Sequence, residues 1–191
     1  MGTEILERNF FKLKSNKDSL YSFLKNIPLF EGFSSRDIKN IEKIVHLRKF
    51  KKDEIVFKED EPGTGMYIIK NGSIRITKQN KDEDGSVQEE TVFNLHQNDF
   101  LGELSLIEKD SFARTASAYT DCEGELVGFF KPDLLEIIEK NPKLGIKLIM
   151  RISEIIAARL RSTTAALSEK KKEIVLMHAS LNGEDVQGTI G

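Results

Sequence analysis

The residues of this chain best suited to chemistry are one acid and one base in a glycine-marked stretch. Phe100-Leu101-Gly102-Glu103-Leu104-Ser105-Leu106-Ile107 is followed, after a polar link, by Phe112-Ala113-Arg114-Thr115-Ala116-Ser117-Ala118. Asp99 and Gly102 signal a tight turn, and Glu103 to Ile107 can form one helical turn whose first amides point outward toward an anion. Arg114 opens a run of small residues, so its planar guanidinium can reach past them and grip a phosphate through parallel hydrogen bonds. Glu103 repels a phosphate, but its carboxylate accepts a hydrogen bond from a sugar hydroxyl at the other end of the same ligand. One acid and one base then read one nucleotide.

Other constellations fall short of a site. Asn80, Asp82, Asp84 and Gly85 match the first half of a calcium loop, but Thr91 stands where the bidentate glutamate is needed and the flanks read as strands. His46, His96 and His178 lie far apart without a second ligand at metal spacing, and no metal site is expected. Cys122 is the only cysteine, so no intrachain disulfide forms; its neighbours Asp121 and Glu123 disfavour a reactive thiolate. With no nucleophile and base at hand, catalysis is not expected.

The elements that position the acid and base follow from pattern. Apolar residues at helical spacing (Leu20, Phe23, Leu24, Ile27, then Ile38, Ile41, Ile44, Val45) make the first 47 residues read as helical, with Ser34 or Ser35 and Asp37 as an N-cap region. From Arg48 to Phe130 short β-rich runs alternate with turns: 54–57, 66–70, 74–78, 87–95, 115–119 and 126–130. Asn71-Gly72 is the strongest hairpin signal, and 62–65 and 81–85 mark two further turns. Such spacing predicts a sandwich or barrel. Pro132 and Pro142 open helices, and no Gly or Pro interrupts Ile146 to Leu181. Within that run, positions 149, 153, 156, 160, 163, 167, 170, 174, 177 and 181 step by fours and threes, and seven of these ten are Ile, Leu or Met. The inner part, Leu144 to Ile152, is expected to lie on the chain's own barrel; the outer part predicts a homodimer through this helix.

Composition sets the bounds. The 191 residues suffice for one core domain with appendages, and 39% hydrophobic against 31% charged residues is ordinary for a folded protein. Twenty-nine basic and thirty-one acidic residues give a net charge of -2, so no global pull toward DNA or an anionic membrane exists. No apolar run reaches a membrane-spanning length and no signal segment is evident, which makes the cytoplasm the expected address. The expected division is 1–18 extension, 19–141 barrel with flanking helices, 142–181 long helix and 182–191 flexible tail.

From Leu20 to Arg161 the sequence resembles the cyclic-nucleotide-binding domain family, the module of cyclic-AMP receptor proteins, cyclic-nucleotide-dependent kinases and gated channels. The resemblance is carried by Gly102-Glu103-Leu104 and Arg114-Thr115-Ala116, by Ile27-Pro28-Leu29-Phe30, and by Lys51 to Phe57 and Pro62 to Ile76 with Gly63, Tyr67-Ile68-Ile69 and Gly72. It implies a mainly β fold with flanking helices: a jelly-roll β-barrel (double-stranded β-helix) with N-terminal helices and a long C-terminal helix. It also implies a regulatory sensor that binds cAMP or cGMP, with Glu103 on the ribose 2′-hydroxyl, Arg114 on the cyclic phosphate and amides near Gly102, Leu104 and Ser105 adding contacts. Thr115 sits where some members carry a hydroxyl that contacts phosphate or guanine. The Glu103-to-Arg114 separation of eleven residues is longer than in better-known members, and Phe112-Ala113 stands where proline is common. A ligand-free scaffold working through dimerisation or a protein partner is the alternative. A transcription regulator is disfavoured, because the 24 residues after Leu167 are too few for a DNA-reading domain.

Overall fold

The computed structural model describes residues 20–81, 85–108 and 113–181. The expected extension 1–18 and tail 182–191, along with Asp82, Asp84 and Phe112, lie outside the described residues. The chain divides into two compact units, Met1–Ile149 and Met150–Gly191.

The first unit begins with helix α1 (20–26), which buries Leu20 and Leu24, and a single turn of tighter helix over Pro28–Phe30. Helix α2 (Ser35–Glu42) starts where the sequence puts it. Ser34 Oγ accepts from the Asp37 amide at 3.2 Å and Asp37 Oδ2 accepts from the Ser34 amide at 3.0 Å, a reciprocal cap that satisfies two amides the helix cannot. Ile38 and Ile41, three residues apart, are its buried face. The helical reading of the first 47 residues overreaches, because His46–Phe50 is already strand β1. Its charged residues face outward, and its hydrogen-bonding partner is the distant segment Gly124–Phe130.

Eight strands follow: β1, β2 (Ile55–Phe57), β3 (Gly65–Asn71), β4 (Ile74–Lys81), β5 (Val87–Leu95), β6 (Phe100–Leu101), β7 (Ser117–Thr120) and β8 (Gly124–Phe130). They form two four-stranded antiparallel sheets, ordered β1-β8-β3-β6 and β2-β7-β4-β5. Phe50, Val56, Ile69, Ile74, Ile76, Leu101, Ala118 and Leu126, drawn from both sheets, form one buried cluster. A closed barrel does not result. Among the described residues no ladder joins the sheets, and the three-residue β2 and two-residue β6 are too short to carry a wall around the open edges. The domain is mainly β with flanking helices, a two-sheet sandwich.

Asn71-Gly72 closes no hairpin. Strands β3 and β4 belong to different sheets, and Gly72, at φ +95°, turns a corner between them. A Cβ there would sit 3.2 Å from Gly124 Cα and 3.4 Å from the Glu123 carbonyl, so the bare backbone lets the two turns nest. The true hairpin is β4–β5, paired from Ile74↔Leu95 to Lys81↔Val87. On β4, Arg75 donates to Asp121 at 2.8 Å, lies 3.7 Å from Asp53 and sits over the Tyr119 ring.

Helix α4 (Lys131–Lys140) and helix α5 (Pro142–Leu181) follow, with prolines at the early positions the sequence marks. Leu144 and Leu148 are buried, and Gly145 lies so close to α4 that a Cβ would meet Ile138 Cγ1 at 2.6 Å. Lys147 donates to the Gly32 carbonyl at 2.8 Å, lies 3.3 Å from Asp37 and covers the Phe33 ring, tying α5 to the cap of α2. In the second unit Leu160, Leu167, Ile174 and Met177 are all more than half exposed. No helix among the described residues is long and apolar enough to cross a membrane.

Candidate functional site

Three segments meet around one guanidinium. The first is the corner between β6 and α3 (Leu104–Ile107), where Gly102 adopts φ +79°. A side chain at that position would strike Arg114 Nη1 and approach the Gly65 carbonyl to 2.9 Å, so glycine serves both the backbone turn and the close approach. The helical turn then buries Leu106 as its anchor. The Ser105 amide, expected to face a ligand, donates within the turn to the Gly102 carbonyl at 3.2 Å, and the Leu106 amide donates to that of Glu103 at 3.1 Å.

The second segment is the backbone about Arg114. Its amide donates to the Glu61 carbonyl at 2.8 Å, its carbonyl accepts from the Asp60 amide at 2.9 Å, and Ala113 bridges Pro62. Asp60, at a left-handed φ of +65°, lies in the turn that makes this clamp. The third segment is the start of β3, which supplies Gly65. Gly65 pairs with Phe130, and a Cβ on it would fall 2.5 Å from the Phe129 carbonyl and 2.7 Å from Phe130 Cα, which excludes any side chain.

Arg114 points inward and is 8% exposed. Its Nη2 donates to the Gly65 carbonyl at 2.7 Å, and its Nη1 to Ser105 Oγ at 2.9 Å and more weakly to the Gly102 carbonyl at 3.4 Å. The guanidinium carbon lies 4.1 Å from the centre of the Phe57 ring. Its Nε is buried with no hydrogen-bond partner among the described residues. Burial pulls the guanidinium below its ordinary pKa, opposed by Tyr67, Glu103, Glu61 and Glu108, and it stays charged at physiological pH. None of its described hydrogen-bond partners carries a negative charge. Its direct contacts are neutral oxygens, while the carboxylates of Glu103, Glu61 and Glu108 act on the charge through space.

Of the expected site residues, the structure brings Gly102, Ser105 and Arg114 into contact and buries Glu103 beside them at 8% exposure, where it is itself engaged by neighbouring groups. Leu104 turns outward at 45% exposure, Thr115 is exposed, and Ala116 packs on the core cluster. Sequence reasoning missed Gly65 and Phe57. Both lie in segments it had marked, a turn and a strand end, but nothing local reveals that they meet a side chain roughly fifty residues later.

A family model described as "Cyclic nucleotide-binding domain" matches residues 47–141. Residues 47–141 belong to that family. A "Cyclic AMP receptor protein" of Thermus thermophilus is 26% identical over 144 residues, covering 75% of this chain and 62% of its own length. A "cAMP-dependent protein kinase regulatory subunit" of Mycosarcoma maydis is 34% identical over 107 residues, 54% of this chain and 19% of its own. The chain therefore spans less than two thirds of these relatives. A crystal structure of a cyclic nucleotide-binding domain from Methylobacillus flagellatus shares the fold, with a TM-score of 0.68 at 20% identity over 82% of this chain and 84% of that one. The cyclic nucleotide-binding domain thus contains every residue around Arg114 named above.

Proposed function

We propose that the chain is a regulatory module that binds cAMP or cGMP beside Arg114 and passes the event to its C-terminal helix. The carrying observation is the buried guanidinium whose described partners are all neutral, with an unpartnered Nε–H. A cyclic phosphate would accept from Nε and bring a negative charge into direct contact with the guanidinium. Glu103, beside it, would accept from the ribose hydroxyl. The strand order, alternating between two facing sheets, supports reading the domain as a jelly roll open at its edge. At that edge Phe93 shares a cross-strand row with the buried Ile76 and Ala118 yet is 51% exposed, an apolar surface suited to a nucleobase.

We assign ligand binding to residues 19–141 and dimerisation to 142–181, where the exposed stripe Leu160, Leu167, Ile174 and Met177 suits a second copy of the same helix. A ligand can shift this helix only by preferring one of its placements. Titration calorimetry of the full chain with cAMP and cGMP tests the reading: saturable heat with either is expected, and none at millimolar ligand overturns it.

One observation favours the ligand-free scaffold instead. The Gly65 carbonyl and Ser105 Oγ already occupy both Nη groups, so Arg114 can act as an internal tie between three segments. In that case Arg114→Ala lowers the melting temperature and leaves calorimetry silent in both proteins.

A further inference from the structure

The three acceptors around Arg114, Gly65 O, Ser105 Oγ and Gly102 O, engage its two terminal nitrogens. Hydrogen bonds of this kind act near the guanidinium plane, and by themselves they leave the group able to swing about that edge. Phe57 is the described contact to the face, at 4.1 Å, the range in which a cation and an aromatic ring attract. The ring is itself held. It stacks on Tyr67 at 6.4 Å with planes 27° apart, and Tyr67 is braced edge-on by Phe50 and Phe130 at 6.4 Å and 5.9 Å. With edge and face both fixed, the direction of the unpartnered Nε–H is fixed as well.

We propose that Phe57 is a positioning residue for the phosphate subsite: its ring sets the guanidinium plane so that Nε–H is aimed before ligand arrives. The proposal rests on the reading of Arg114 as the phosphate ligand. Its physical content is preorganisation: an aimed donor loses less freedom when the phosphate arrives than one that must first find its place. A merely structural Phe57 would act on the fold and on every ligand alike. A positioning Phe57 acts on the phosphate alone.

The test uses the full chain labelled with ¹⁵N, in wild-type, Phe57→Leu and Phe57→Tyr forms. The Arg114 Nε–H resonance, assigned by its loss in Arg114→Lys, is expected at a ring-current-shifted position in wild type and Phe57→Tyr and at an ordinary one in Phe57→Leu. Calorimetry then compares cAMP and cGMP with adenosine and guanosine, which keep base and ribose but lack the phosphate. Phe57→Leu is expected to weaken the cyclic nucleotide about tenfold and the nucleoside not at all, with Phe57→Tyr restoring wild-type affinity. If Phe57→Leu has no melting transition, Phe57→Met serves the same comparison. Equal cyclic-nucleotide affinity in wild type and the aliphatic variant, or an equal loss for nucleoside, overturns the proposal and leaves the nucleotide reading standing. A wild type that binds no cyclic nucleotide overturns the nucleotide reading and the proposal with it.

Discussion

Arg75 and Arg114 differ in what they touch, carboxylates in the first case and neutral oxygens in the second. Arg75, on β4, is one-third exposed and meets Asp121 at 2.8 Å and Asp53 at 3.7 Å. Arg114 is buried, and its described partners are two carbonyls and a hydroxyl. The first charge is neutralised by its own chain and braces the turns around the second sheet. The second touches neutral oxygens, with the carboxylates of Glu103, Glu61 and Glu108 acting on it only through space. Exposure alone would point to Arg75 as the binding group; the proposed reading rests on Arg114 instead, because Arg75 already has two carboxylates beside it.

The largest expected effect separates the two. Arg114→Ala should weaken cyclic-nucleotide binding by about 100-fold or more, the loss of roughly 3 kcal/mol in charge-assisted hydrogen bonds, whereas Arg75→Ala should leave affinity within about twofold. Calorimetry on both variants decides it, and equal losses would erase the distinction. Gly102→Ala should come next. Its side chain would press on Arg114 Nη1 and force a residue with a Cβ into φ +79°, costing about 1–2 kcal/mol of stability in addition to affinity. A lowered melting temperature together with weaker binding is the expected pair of results.

Asp121→Asn should cost only about 0.5 kcal/mol in chemical denaturation, because the pair with Arg75 is partly solvated, and it should not alter binding. The smallest effect concerns Asp37, a charge held by both a cap and a cation. Partial burial raises its pKa, but the Ser34 amide and hydroxyl and the Lys147 ammonium outweigh this and leave it below its usual 3.8. A carboxylate with a depressed folded value stabilises the fold above its unfolded pKa and loses that contribution as pH falls through the folded one. Stability measured by denaturant should therefore decline below about pH 4, and Asp37→Asn should flatten that slope.

The sequence disclosed features whose causes are local. The Ser34–Asp37 cap, the prolines opening α4 and α5, and the Gly102 turn each depend on residues a few positions apart. Arg114 was legible for a different reason: small residues follow a lone cation, and the family motif places it opposite Gly102-Glu103. What stayed hidden is non-local. Strand β1 pairs across some eighty residues with β8, and β6 is two residues long, below any periodic signal. Asn71-Gly72 carries the chemistry of a hairpin, yet the two flanking strands find better partners in opposite sheets. The Phe57 and Gly65 contacts exist only once both sheets are assembled.

Gly65 answers to two masters. Its carbonyl holds Nη2, while its backbone is registered against Phe130, the residue that precedes α4 and whose amide is capped by Asp133 at 2.8 Å. Under the proposed reading, a ligand that alters the contact at the carbonyl would act on the start of that helix through this register. If nucleotide and helix are coupled as proposed, thermodynamic reciprocity requires a partner that clamps the helix to change nucleotide affinity by the factor with which nucleotide changes the partner's own.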